Sequence, residues 1–338
     1  MRPRTARSVL PLLLVTALVA AGCSDGDDEA APSPTPTPSA TPSPTAVPTP
    51  AVRDWLTGST PVKGPVVAVK IDNGILARPY HRGLEQAAVM YQELVEGGAT
   101  RFMAVFESAR ATREVGPIRS ARESDLEILR AYGKPALAFS GAQSGVLAIV
   151  ASAVRAGRLV DASYDRVPSL YRLGERRRDA RNFFAVPARL GDSRGGSDPR
   201  DVGFRFGPAR PGTTTRTARV VFSPQSAVSL RYDASDASWV VSQAGRVVPF
   251  SPENVVVQFV TVKRSRFHDV NGMNSPLTLT TGRGKAWVLR DGRRLPATWS
   301  RAGYGPTRLL AAPGRDVRLR PGQTLVLLVP KAGGVSFG

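Results

Sequence analysis

One cysteine, two histidines and no apolar run of membrane-spanning length bound the chemistry of this 338-residue chain. With Cys23 alone, a disulfide within the chain and a cysteine-based metal cluster are both excluded. His81 and His268 stand far apart in sequence, which argues against a histidine-rich zinc site. A Gly-x-Ser-x-Gly nucleophile elbow is missing. Ser144 follows a strand-like run and opens a helix-like one, but Ala142-Gln143-Ser144-Gly145-Val146 lacks the elbow's first glycine. No Walker lysine follows Gly141, so a nucleotide cradle is poorly supported. These absences leave no metal and no cofactor to expect.

Acidic residues are also scarce: 27 against 46 basic, for a formal charge of +19. Arg2, Arg4 and Arg7 precede Cys23, so 43 basic and 27 acidic residues, or +16, remain from Cys23 onward. Such an excess favours anionic partners such as phospholipid headgroups, wall polymers or nucleic acid. Neither a long Lys/Arg run nor a basic-aromatic stripe is present, so nucleic acid is not the expected partner. Solubility in an arginine-rich composition is the plainer account of the charge.

The first 22 residues read as a signal peptide. Arg2, Arg4 and Arg7 form its positive end, and Val9 to Ala20 its apolar region, too short to cross a membrane comfortably. Leu18-Val19-Ala20-Ala21-Gly22-Cys23 resembles the lipobox of bacterial lipoproteins, with Ala20 where leucine is commoner. That resemblance implies a lipidated Cys23, and two or more acyl chains make such anchoring stable. Residues 23–60 read as a disordered linker. Ala30 to Pro50 is almost wholly Ala, Pro, Ser and Thr, which cannot bury a core.

Residues 61–212 mix strand and helix signals, so the expected fold is α/β or α+β. Val66 to Ile71 is a β-branched run ending at the turn signal Asp72-Asn73-Gly74. Val89 to Val95 and Thr100 to Glu107 read as strands, with Gly97-Gly98 as the hairpin turn between them. The spacing Ser120-x-x-Glu123 predicts a capping box, and Leu126, Leu129 and Tyr132 the helix that follows. Val146 to Ala156 reads as an apolar helix, and Gly191 to Arg200 as an exposed loop. Residues 213–332 carry a different pattern, in which short strand-like runs recur with turns between them, and Asp291-Gly292 is a hairpin signal. A mostly β second domain follows, with Trp239, Trp287 and Trp299 as core or as a sugar-stacking platform.

The densest charge lies between Leu94 and Arg122, in two clusters at turns. One is Glu96-Gly97-Gly98-Ala99-Thr100-Arg101; the other is Gly116-Pro117-Ile118-Arg119-Ser120-Ala121-Arg122. Asp72, Asn73, Glu96, Arg101, Arg119, Ser120 and Arg122 are the candidate ligand-binding residues. Guanidinium groups suit phosphate or carboxylate, and a helix start near Ser120 adds free N–H groups. Asp72, Glu93, Glu96, Glu107 and Glu123 could instead supply a carboxylate pair for glycoside hydrolysis, or simply pair with the arginines. His81 is a conceivable base but reads better as a histidine at the rim of the core.

Several stretches together resemble the YerB-like bacterial lipoproteins, a two-module family of unknown function. They are Val67 to Asn73, Ala77-Arg78-Pro79, Leu94 to Phe102 and Gly116 to Arg122, then Asn254 to Val257, Thr281-Gly282-x-Gly284, Asp291-Gly292, Thr298-Trp299 and Pro321 to Thr324. The family's Pro-His-Asn triplet is Ala180-Arg181-Asn182 here, so any role of that histidine is lost. The resemblance implies an envelope protein on the extracytoplasmic face of the membrane, held through Cys23. It implies no reaction. The chain thus reads as a non-catalytic binding or scaffold protein for anionic wall polymers or envelope enzymes. The alternative is an envelope hydrolase acting on glycan or peptide.

Overall fold

The computed structural model of the protein describes residues 53–176, 181–269 and 271–338. The leader, Cys23, most of the linker and the Arg177-Arg178 pair lie outside the described residues. The first module supplies β1 (Val66–Asp72), β2 (Val89–Leu94), β3 (Thr100–Glu107), β4 (Val115–Ile118), α1 (Glu123–Leu129), β5 (Ala136–Ala138), α2 (Ser144–Arg155), β6 (Val160–Asp161), β7 (Tyr171–Arg176), β8 (Arg181–Ala185) and α3 (Pro187–Arg194). The second supplies strands alone among its described residues. They are β9 (Thr213–Thr214), β10 (Thr217–Ser223), β11 (Ser226–Asp233), β12 (Ser238–Gln243), β13 (Arg246–Val247), β14 (Asn254–His268), β15 (Asn274–Leu279), β16 (Gly282–Arg290), β17 (Arg293–Arg301), β18 (Arg308–Ala311), β19 (Arg315–Asp316), β20 (Thr324–Pro330) and β21 (Gly334–Phe337). A helix-bearing first module is thus followed by an all-strand one.

The modules meet inside one sheet. Its main path runs β19-β18-β17-β16-β14-β20-β2-β3-β1-β4-β8-β7, so the second module's β20 lies directly against the first module's β2. The two pair in parallel, Val89 with Thr324 through Gln92 with Leu327. Thr324–Pro330 is buried throughout, as a strand covered on both faces should be. On one face pack α1 and α2, through Ile128, Leu129, Val146 and Val150 against Ala68, Met103 and Val105. On the other face, Val67, Val69, Phe102 and Phe106 meet Val220, Leu230, Trp239 and Val241 of the five-stranded sheet β13-β12-β11-β10-β21. Trp239 and Trp299 are buried, and Trp287 stacks edge-on against Phe337, so all three tryptophans serve packing.

The hairpin expected around Gly97-Gly98 is present, with Leu94 opposite Thr100. Both glycines have φ near +70°, a region that costs other residues steric strain. A side chain at Gly98 would also strike Gln225 and Ser223 of the second module, and Ser223 Oγ donates to the Gly98 carbonyl. Asp291-Gly292 likewise turns β16 into β17, both residues at positive φ.

Two expectations need correction. Residues 53–60 are folded rather than linker: Leu56 is fully buried, and Asp54 Oδ1 accepts bonds from the Leu56 and Thr57 amides. Gly191 to Arg194 is not loop but the end of α3, whose proline start and buried Leu190 outweigh the Gly/Ser composition that follows. At this flank of the main sheet β8 pairs antiparallel with both β4 and β7, and β7 forms the edge.

Candidate functional site

The site is built on the ends of β1 and β3 and on the segment that leads into α1. Antiparallel pairing sets Arg101 opposite Asp72 on one side and Glu93 on the other. Residues 119–121 are then stitched into place by backbone bonds. The Arg119 amide donates to the Lys70 carbonyl, the Ser140 amide to the Arg119 carbonyl, and the Ala121 amide to the Gly141 carbonyl. Gly116 admits no side chain, since a Cβ there would lie 2.6 Å from the Phe184 ring. Arg119, Ser120 and Arg122 therefore reach the same edge as Arg101.

Together these residues line a cleft of about 820 Å³ with Asp72, Glu96, Gly141 and Gln143. Six of the seven residues picked from the sequence are there. Asn73 is not: it is buried, its amide donating to Thr100 Oγ1 and Gln243 Oε1 at 2.9 and 2.8 Å. It braces the two modules instead of facing the cleft. Missing from the sequence reading is the opposite wall, the tip of the β14–β15 hairpin. It adds Arg266, His268, Asp269, Asn271, Met273 and Ser275. No local pattern marks these residues, because only the β2–β20 pairing brings the second module alongside.

The helix start is corrected as well. The residue preceding α1 is Arg122, not Ser120, and the Arg122 amide donates to Asp125 Oδ2 at 2.7 Å. An internal carboxylate has thus taken the role that the sequence reading reserved for an external anion. Asp125 also receives Lys70 Nζ at 2.6 Å, and Lys70 bonds Glu93 from the other side. All three side chains are fully buried. Desolvation drives Glu93 upward against the pull of Lys70, and one of its oxygens has no partner among the described residues. This sealed triad lies directly beneath the cleft: its lysine carbonyl holds Arg119 and its aspartate holds Arg122.

Within the cleft the charges are unevenly matched. Arg122 grips Glu96 with two bonds of 2.6 and 2.8 Å, and Ser275 Oγ donates to the same carboxylate. Burial alone would raise Glu96, but Arg122 and Ser275 outweigh it and hold the group down at about 2. Arg119 Nε sits 3.7 Å from Asp72 Oδ2, beyond hydrogen-bond range, and its side chain is one-third exposed. Arg101 makes one long bond, 3.4 Å, to the Ser120 carbonyl and no ion pair among the described residues. Burial, then the nearby Arg122 charge, pushes it down to about 10. A cation this desolvated gains from an anion more than a surface arginine does.

The carboxylates weighed for hydrolysis are dispersed. Glu93 belongs to the triad, Glu107 pairs with Arg110 beside Asp54, and Glu123 accepts from Ser265. Only Asp72 and Glu96 line the cleft. His81 Nε2 donates to the Asp72 carbonyl at 2.7 Å and packs on Phe102, a bracing position. Asn182 is buried on β8. Among the described residues, no group of three His, Cys, Asp or Glu could hold a metal, and no helix is long and apolar enough to cross a membrane.

Residues 56–199 match the family described as protein of unknown function (DUF3048), N-terminal domain, and residues 218–326 match its C-terminal domain. A stretch of 57 residues is 47% identical to "Putative lipoprotein YerB" of Bacillus subtilis (strain 168), covering 17% of each chain. The crystal structure of the YerB protein from Bacillus subtilis superposes with a TM-score of 0.69 at 20% identity. It covers 84% of this chain and 99% of that one, so the two share a fold.

Proposed function

Because the chain belongs to the DUF3048 family of two-domain, YerB-like proteins, we propose that it is a lipid-anchored envelope protein that binds an anionic ligand. Cys23 is the anchor and the Arg101 cleft is the binding site. The lipobox-like leader supports the anchor, as does a relative named as a lipoprotein. The observation that carries the binding role is Arg101 itself. It is a desolvated guanidinium with no carboxylate within ion-pair distance among the described residues, at the wall of an 820 Å³ cleft. Arg119 and Arg266 add cation, while Glu96 is already neutralised by Arg122.

Hydrolysis draws less support. A general acid must hold a proton near neutral pH, and Glu96 is held far below that. Asp72 accepts from the Gly74 amide and lies across from Arg119. Two arms test the proposal. Cys23→Ala should move the protein out of the membrane fraction; unchanged retention would refute the anchor. Arg101→Gln should weaken binding to anionic wall fragments at least about tenfold, the worth of one charge-assisted contact, while circular dichroism stays unchanged. Equal binding by both proteins would refute the site.

A further inference from the structure

Charge explains the floor of this cleft but not its rim. Eight large apolar side chains stand exposed among the described residues; one of them lines this opening, and three more lie one or two residues along the chain from residues that line it. Met273, 44% exposed, lines the cleft itself, its thioether 3.8 Å from where a Gly97 side chain would begin. Ile75 and Leu76, at 71% and 49%, follow the cleft residue Gly74. Leu147, at 38%, follows the cleft residue Val146. Single exposed apolar residues are ordinary on any surface. Here they belong to three separate segments, the turn after β1, the start of α2 and the β14–β15 tip, each of which contributes a residue to the cleft that Arg101 and Arg119 line.

Resting on the anion-binding reading above, we propose that the ligand is a phosphate-headed amphiphile. Its phosphate sits between Arg101 and Arg119 and its apolar chain runs over Ile75, Leu76 and Met273. A phosphate oxygen set can accept from more than one guanidinium at once, which suits converging arginines better than a single carboxylate does. The cleft's 820 Å³ far exceeds one phosphate, leaving room for what the head carries. A polar glycan or polyol phosphate would meet the arginines but leave the rim wet. A neutral lipid would cover the rim but leave Arg101 unpaired. A methionine at the hairpin tip is well suited to a flexible chain, being itself unbranched and adaptable.

The test uses the full chain carrying Cys23→Ala, so that no detergent is needed, and titration calorimetry with soluble probes. Dihexanoyl phosphatidylglycerol, below its micelle concentration, carries head and chains. Glycerophosphoglycerol is the same head without chains, and octyl glucoside is a chain without charge. The first should bind at least about tenfold more tightly than the second, since two or three partly covered side chains supply that much. Ile75→Ser/Leu76→Ser/Met273→Ser, all at exposed positions, should erase the difference. Arg119→Gln, also at a partly exposed position, should weaken both charged probes. Equal binding of the two phosphate probes, with the serine variant silent, would overturn the amphiphile and leave the anion site standing. Octyl glucoside binding as tightly, with the arginine variant silent, would overturn the phosphate and the anion site together. Failure of every probe to bind would do the same.

Discussion

Lys70 and Arg101 sit on adjacent strands of one sheet, two residues out of register, and meet opposite fates. Lys70 is enclosed by Glu93 and Asp125 with no solvent contact. Arg101 opens on a large cleft and has one long bond to a carbonyl. The first cluster is matched internally, even overmatched, with two carboxylates for one amine. The second carries cation left over after Arg122 has taken Glu96. Matched buried charge specifies a structure; unmatched half-buried charge at a cleft specifies a ligand. Arg122 belongs to the first kind although it lines the cleft, and Arg119, held only loosely by Asp72 at 3.7 Å, stands between the two.

The comparison is most severely tested at Lys70. Lys70→Met strands two carboxylates in the core and should cost about 3–5 kcal/mol, read as a shift in the urea midpoint. A midpoint within error of the parent would mean that the triad is not structural. Arg122→Ala comes next. Losing a two-pronged bond to Glu96 should cost about 1.5–3 kcal/mol. Arg119→Ala, at a partly exposed and loosely paired position, should change stability by no more than about 0.5 kcal/mol. If the two arginine variants melt alike, the division between clamp and ligand site collapses.

Acidity separates Glu96 from Glu107 in the same way. Glu96 is held at about 2, below its ordinary value of 4.5. It therefore stabilises the fold above about pH 5 and loses that contribution as pH falls toward 2. Glu107 is pushed up to about 8 by burial first and by neighbouring Asp54 next. The folded state then binds the extra proton, so stability falls as pH rises from about 5 to 8, by up to roughly 4 kcal/mol at about 1.4 kcal/mol per pH unit. Glu107→Gln should flatten that alkaline slope and leave the acid limb intact. Melting temperatures across pH 3 to 9 would show it; an unchanged slope would refute the assignment.

Much of the first module could be read from local pattern. Gly97-Gly98 between two strand-like runs can hardly be anything but a hairpin, and the convergence of Arg101, Arg119 and Arg122 follows from the short return. The far wall could not be read. Arg266 and Ser275 face Glu96 and Arg101 only through pairing between residues at opposite ends of the chain. The capping error has a physical cause too: Ser120 and Asp125 both offered an acceptor, and the aspartate, already anchored by Lys70, sets where the helix begins. One signal was there to be used. A lone lysine in Val66-Val67-Ala68-Val69-Lys70-Ile71, a run that reads as fully buried, requires carboxylates nearby.

The pairing of β2 with β20 also sets a timetable. While the chain is being made, Met90 and Tyr91 exist long before Leu325 and Val326 do, and β2 has one flank without a partner. An unpaired, apolar strand edge is the feature most prone to join the wrong neighbour. A first module made without the second would leave that flank of β2 open to wrong pairing. Truncation after the first module should lower the yield of soluble protein, because β2 then lacks the strand that covers its edge.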